Sequence, residues 1–311
     1  MVSYQSKQMK ETILIAGGTG LVGSRLLEMI DYTKYTVNIL SRKKKADTEN
    51  VNYFIWDINK MEIEKGAVQA DYIINFTGAG IADARWTNAR KKLLISSRVE
   101  SARLIKKGLE QSGHRPKAYI SASAIGYYGD RGSEKLTEAS PVGEGFLAVC
   151  CERWEDSAQE LNKLVDRLVI NRIGIVLSTK GGALPKILMT KAIGVYSYFG
   201  SGSQYYSWIH IDDLCRIFLR NITEDSMSGI YNTVAPKPLT NKEFTIEIKD
   251  ALGGVAALPA PKFGLRLLLG EMADVVLNSN RGYPERLEEN KIYYDYSDLG
   301  LAVKDLLERK I

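Results

Sequence analysis

The chain has 311 residues, 45% of them apolar and 25% charged, and its 42 Lys and Arg against 37 Asp and Glu leave a net charge of +5. That composition describes a globular chain of one large domain or two unequal ones; it excludes disorder as the main state, and so small a positive excess leaves no nucleic-acid footprint. Three cysteines without CxxC spacing and only two histidines, His114 and His210, give neither a disulfide framework nor a zinc set, and with no apolar run of membrane-spanning length the expected setting is the cytoplasm, with no metal, membrane or nucleic-acid partner.

Residues 1–11 read as an extension ahead of the first strand, too polar for a signal peptide. Short β-rich runs then alternate with longer helical patterns, the rhythm of a doubly wound parallel α/β sheet. Strands are expected at 12–16, 36–40, 51–56, 71–76, 117–121 and 166–172. Helices are expected at 21–30, 88–109 and 146–161, the second carrying Ile95, Val99, Ala102, Ile105 and Leu109 on one stripe. Beyond Gly181 the rhythm becomes irregular, and loops and small elements are expected over the sheet edge, with an aromatic stretch from Tyr196 to Trp208. Thr240 followed by Glu243 is a capping box for a helix to Leu252. Residues 258–262 are the best linker candidate, and helices follow at 263–272 and 298–309. The division is thus 12–239 for the sheet domain, with substrate-side loops over 178–208, and 240–311 for a small, mostly helical C-terminal domain.

Between the first strand and the first helix stands Gly17-Gly-Thr19-Gly20-Leu21-Val22-Gly23. In that context Gly17 allows a tight turn, Gly20 lets backbone approach a pyrophosphate, and Gly23 lets helix pack on strand, which points to a Rossmann-type dinucleotide site. The helix N-terminus adds free N–H groups and partial positive charge. A purely structural glycine turn is the alternative. About 20 residues further on, an NAD-preferring site would carry a carboxylate for the ribose hydroxyls. This chain has Ser41-Arg42, and Arg42 suits the 2′-phosphate of NADP(H), with Lys43, Lys44 and Lys45 adding charge; NAD(H) is less favoured. A solvated turn is the other reading of these cations. Asp57 can touch the adenine amine or cap a turn.

Several longer blocks resemble one family in chain order: the glycine loop, INFTGAGIADARW at 74–86, SASAIGYYGD at 121–130, CERWE at 151–155, RIGIVL at 172–177, SWIHIDDL at 207–214 and RGYPERL at 281–287. They resemble the extended short-chain dehydrogenase/reductases, and within them the atypical NAD(P)-dependent epimerase-like subgroup with its small C-terminal domain. The resemblance implies that Thr77, Gly78 and Ala79 line the ribose and nicotinamide side of the cofactor. It implies that Ser123 holds a substrate carbonyl or hydroxyl, with a register uncertain by one, and that Arg172 and Gly174 pass the nicotinamide. His210, Asp212 and Asp213 match a capping and anchoring block. In many relatives helices equivalent to 88–109 and 146–161 build a homodimer.

The chain departs from the family at one point that matters chemically. Typical members carry Tyr and Lys four apart on the helix after the fifth strand, which favours the phenolate. Here 146–154 reads FLAVCCERW, and Cys150 stands where the lysine is expected. Unaided, a tyrosine of pKa about 10 is a poor base. Tyr127, Tyr128, Cys150, Cys151 and Glu152 are the alternative proton carriers, each with a plain structural reading beside it. On the substrate side Arg85, Trp86, Tyr205 and Trp208, with Tyr196, Phe199 and Tyr206, either converge on a small-molecule pocket or pack the two domains together. The expected function is an NADP(H)-dependent oxidoreductase or epimerase-like enzyme on a small carbonyl or hydroxyl substrate; the alternative is a non-catalytic NADP(H)-binding sensor or scaffold.

Overall fold

The short β-rich runs form strands whose alternate residues face opposite sides of one sheet, so both faces must be covered. The structure, a computed structural model, describes residues 10–309. Most of the expected N-terminal extension, residues 1–9, lies outside the described residues, while Glu11 already opens the first strand. The sheet strands are β1 (Glu11–Ala16), β2 (Tyr35–Ser41), β3 (Val51–Asp57), β4 (Glu62–Ile63), β5 (Tyr72–Asn75), β6 (Ala118–Ala124), β7 (Arg167–Ile173) and β8 (Gly229–Thr233). They lie in the order β8-β7-β6-β5-β1-β2-β3-β4, parallel throughout except for the short antiparallel edge strand β4.

The covering helices are α1 (Leu21–Met29), α2 (Asn88–Ser112), α3 (Phe146–Gln159) and α4 (Ile211–Thr223). Ile13, Ile15, Val37, Ile39 and Ile74 pack toward one face with residues of α1 and α4. Leu14, Ala16, Ile73 and Tyr119 pack toward the other with Leu104, Ile105 and Leu109 of α2. The sheet is therefore a Rossmann-like, doubly wound layer, as its alternating rhythm implies. Because chain order reverses between β1 and β5, a crevice opens there at the C-terminal strand ends, the place where ligands bind in such sheets.

Three expectations about the second half are corrected. Residues 256–260 form a strand paired in parallel with Val195–Phe199, one of the small elements expected beyond Gly181, so much of the linker candidate at 258–262 is ordered sheet. Strand β8 and helix α4 were also hidden in what reads as irregular sequence. Gly229 breaks the strand pattern, and α4 follows directly on the strand Trp208–His210, so a change of period within a few residues masks both. The Thr240–Glu243 capping box is present in full at the start of α5 (Asn241–Ala251), and Asp298 caps α6 (Leu299–Glu308). Among the described residues no helix is long and apolar enough to cross a membrane.

Candidate functional site

The loop from β1 to α1 is a tight turn with room only for glycine at two positions. Gly17 has φ +80°, and a Cβ there would lie 3.0 Å from the Phe76 carbonyl carbon. A Cβ on Gly23 would lie 2.5 Å from the Gly17 oxygen and 2.7 Å from Gly18 Cα, so α1 rests directly on the loop. Gly20 caps the helix without a side-chain bond, and Thr19 and Gly20 are exposed, which leaves the first N–H groups open toward an anion. Leu21 and Val22 are half-buried behind them. A cleft of about 610 Å³ runs from Thr19, Gly20 and Leu21 to Ser178 and Lys180 on the opposite wall.

At the end of β2 the Ser41 hydroxyl donates to the Lys43 carbonyl at 2.8 Å and is spent in a local turn. Arg42 is exposed and has no hydrogen bond or ion pair among the described residues. Lys44 bonds the Tyr53 carbonyl, and Lys45 lies over the Tyr53 ring. Asp57 accepts from the Asn59 and Lys60 amides at 2.9 and 3.2 Å, which is the capping arrangement. Beyond β5 the Thr77 amide donates to Asn75 and the Ala79 amide to Ser97. The Thr77 hydroxyl is buried without a partner among the described residues, a donor left over for a ligand at the crevice. Gly78 is exposed, and a Cβ on it would meet the Arg98 guanidinium carbon at 2.9 Å.

A second cavity, of about 240 Å³, lies at the C-terminal ends of β6 and β7. Its walls come from distant segments: Ala124 to Gly126, Gly174, Tyr205 to Ser207, and Asn278 and Asn280. Helix α3 contributes Leu147, Cys150 and Cys151. With Trp154, the cavity-lining positions four apart on that helix are Leu147 and Cys151, and Cys150 and Trp154, none of which can act as a tyrosine or lysine. Burial raises the pKa of both thiols, and the nearby charge of Arg98 offsets only part of that rise.

Ser123, Tyr128 and Arg172 come together, but behind the cavity wall. Ser123 is 2% exposed and its hydroxyl donates to Glu155 Oε1 at 2.6 Å. Arg172 donates to the same carboxylate through two nitrogens and to the Tyr128 hydroxyl at 2.9 Å. Burial opposes the Arg172 charge, yet the bonds to Glu155 outweigh it and hold the guanidinium protonated. Tyr128 is fully buried and donates to Asn232; burial pushes its pKa up to about 12 against the pull of Arg172. Tyr127 is half-buried, with the Arg172 guanidinium 3.5 Å from its ring centre, and burial raises its pKa too. None of these four side chains is in the cavity lining, whereas Gly174 is; a Cβ there would meet the Ser207 carbonyl oxygen at 2.6 Å.

The four substrate-side residues separate. Tyr205 lines the cavity, with Arg281 stacked over its ring at 4.8 Å. Trp208 is 1% exposed core. Trp86 is buried, donates to the Ile81 carbonyl and packs edge-on against Phe146. Arg85 is exposed and donates to the Leu267 carbonyl, tying the 81–86 loop to the C-terminal segment. Sequence reasoning missed Arg98, Leu147, Asn278 and Asn280. For Arg98 a signal existed: it lies four after Leu94 and three before Ser101, both buried, so a cation stands at a core phase of α2. Among the described residues no three His, Cys, Asp or Glu side chains converge as metal ligands.

Residues 13–145 match the NAD dependent epimerase/dehydratase family, and residues 260–306 match a domain of unknown function (DUF1731). An epimerase family protein of Staphylococcus aureus (strain NCTC 8325 / PS 47) is 34% identical over 297 residues, 95% of this chain and 98% of that protein. The crystal structure of a human epimerase family protein (isoform 2) with NADPH superposes with a TM-score of 0.86 at 27% identity, covering 96% of this chain and 100% of the other. The UDP-glucose 4-epimerase of Thermus thermophilus, in complex with NAD, has a TM-score of 0.71 at 15% identity over 96% of this chain and all of the other, a likeness of fold alone.

Proposed function

Because this chain belongs to the epimerase family, an atypical branch of the extended short-chain dehydrogenase/reductases, we propose that it binds NADP(H) across the β1–β5 crevice and acts as an oxidoreductase or epimerase-like enzyme on a small carbonyl or hydroxyl compound in the 240 Å³ cavity. The observation that carries the reading is the cradle at the N-terminus of α1, where only glycine fits at Gly17 and Gly23 and the helix amides stay open. The partnerless Thr77 hydroxyl and exposed Gly78 continue that cradle toward the cavity. Preference for the 2′-phosphate rests on Arg42, which has no protein acceptor among the described residues at the end of β2. When bound, NADP(H) supplies hydride chemistry. The protein's part is to orient the reacting carbon and to meet the charge on its oxygen. Of the three hydroxyls lining the cavity, Tyr206 is bonded to the Val276 carbonyl and Ser207 to the Asn280 carbonyl. Tyr205 has no such bond, so it is the proton donor this reading assigns.

Titration of wild type and Arg42→Ala with NADPH and NADH tests the cofactor reading. Tighter NADPH binding by wild type, lost in the variant with NADH unchanged, is expected; equal affinity for both in wild type sinks the assignment.

A second reading, a non-catalytic NADP(H)-binding sensor or scaffold, is favoured by the internal bonding of Ser123 and Tyr128. Steady-state NADPH consumption with any small carbonyl compound, abolished in Tyr205→Phe, decides for the enzyme.

A further inference from the structure

Several enclosed arginines of the chain are paired with carboxylates, and Arg286 gives both terminal nitrogens to the backbone carbonyls of Ile230 and Ser228. Arg172 is forked onto Glu155, and Arg25 and Arg309 share Asp212. Arg98 is different. It is the single charged side chain in the lining of the 240 Å³ cavity, and no carboxylate lines that cavity. One of its nitrogens, Nη1, donates to the Leu94 carbonyl at 2.8 Å, within its own helix. Nε and Nη2 have no protein acceptor among the described residues. Its position is nonetheless set, because the guanidinium packs 4.9 Å from the Trp154 ring centre on one side and against Gly78 on the other.

A guanidinium held by packing, with two donors free and a largely apolar wall of Ile125, Leu147, Ile173 and Val275 around it, is matched by an anion that accepts from the same planar edge. A carboxylate fits that edge. A phosphate dianion would call for a second cation, and the lining offers none. The cavity, of about 240 Å³, has room for a short organic acid.

We propose that Arg98 is the substrate anchor of this cavity and that the compound it takes is a small monocarboxylate with an apolar body, bound through its carboxylate. The assignment rests on reading the cavity as the substrate site. It makes Arg98 a binding residue that fixes which end of the compound faces the crevice at Gly78. Asn278 adds a neutral amide to the same lining, while the Asn280 amide nitrogen donates to the Gly129 carbonyl.

Calorimetry on the full chain, with and without saturating NADPH, tests this with butyrate and benzoate as probes and butyramide and benzamide as their uncharged counterparts. Wild type is expected to bind the acids at least tenfold tighter than the amides. Arg98→Gln is expected to lose at least tenfold for the acids with NADPH affinity unchanged, and Arg98→Lys to recover part of the loss. Melting curves of both variants establish that they fold, and the lysine variant carries the test if the glutamine variant does not. Equal binding of acids and amides, no binding of either, or acid binding unaltered in the variants overturns the proposal. A loss of NADPH affinity in Arg98→Gln also overturns it, by assigning the guanidinium to the cofactor. Failure of wild type to bind NADPH removes the cofactor reading instead, since the acid arm without NADPH still judges Arg98.

Discussion

Arg172 and Glu155 meet through two parallel bonds, Nε to Oε1 at 2.9 Å and Nη2 to Oε2 at 2.8 Å, with side chains only 2% and 8% exposed. The pair fastens the end of β7 to α3, and Ser123 of β6 adds a third contact to the same carboxylate. It therefore holds together the three elements whose ends make the cavity.

Removing one partner from such a buried pair leaves the other charge unpaired, which costs about 3–5 kcal/mol, while replacing both by apolar residues of similar size costs far less. Glu155→Ala is expected to lose stability on that scale and Glu155→Leu with Arg172→Met to recover most of it. Urea denaturation of Glu155→Ala, Arg172→Met and the double variant checks this. A double variant as unstable as the worse single one contradicts the account.

Gly23→Ala places a methyl 2.5 Å from the Gly17 oxygen and 2.7 Å from Gly18 Cα, both backbone atoms that cannot swing aside. The expected result is a loss of about 1–3 kcal/mol from overpacking, together with weaker dinucleotide binding, because α1 must lift off the loop. Gly132→Ala is a control: no atom lies within 4 Å of a Cβ there, though its φ of +57° still carries the backbone cost of alanine. Thermal melts and NADPH titration of the two variants separate crowding from that backbone cost.

His210 is fully buried at the N-cap of α4, where its Nδ1 accepts from the Asp212 amide, and burial pushes its pKa down to about 4. Asp212, Asp213, Asp305 and Arg309 face it. Burial works against the Asp212 charge, but Arg25 and Arg309 outweigh it and keep that carboxyl well below the usual range, so it stays ionised in this window. The unfolded chain takes up a proton near the ordinary histidine value of about 6.5, whereas the folded protein resists until about 4. Stability contributed by neutral His210 is therefore complete above about 6.5 and is lost as pH falls from there toward 4. His210→Asn, which keeps a capping acceptor, is expected to flatten that part of the stability profile. An unchanged slope between pH 6.5 and 4 would falsify the assignment.

All three cysteines are free and buried, and burial raises each thiol pKa, for Cys215 to about 12. With so little thiolate, Cys150 and Cys151 are expected to react with an aromatic disulfide reagent at pH 8 many times more slowly than in the denatured chain. Rapid native labelling of one thiol per chain would return a cysteine to the list of proton carriers.

Local pattern carried much of this protein. The alternation of β-rich and helical runs specifies the first six parallel strands and α1 to α3, because burying both faces of a strand and one stripe of a helix imposes distinct periods over a few residues. The glycine loop and the Thr240 capping box are likewise complete within a handful of positions, and the structure realises both. Which polar side chain reaches the cavity is a different kind of fact. Ser123 and Arg172 stand in blocks that resemble a cofactor and substrate site, yet β6 and β7 are neighbours in the sheet and α3 packs on them, so both side chains close on Glu155 instead. Arg98, with no motif to mark it, keeps two donors free because no acid from the distant segments at 124–126, 147–151, 205–207 and 278–280 lies opposite it. The partner of a buried charge is set by the order of strands and the packing of helices far apart in the chain, and only the assembled fold decides which charges are cancelled and which remain to meet a ligand.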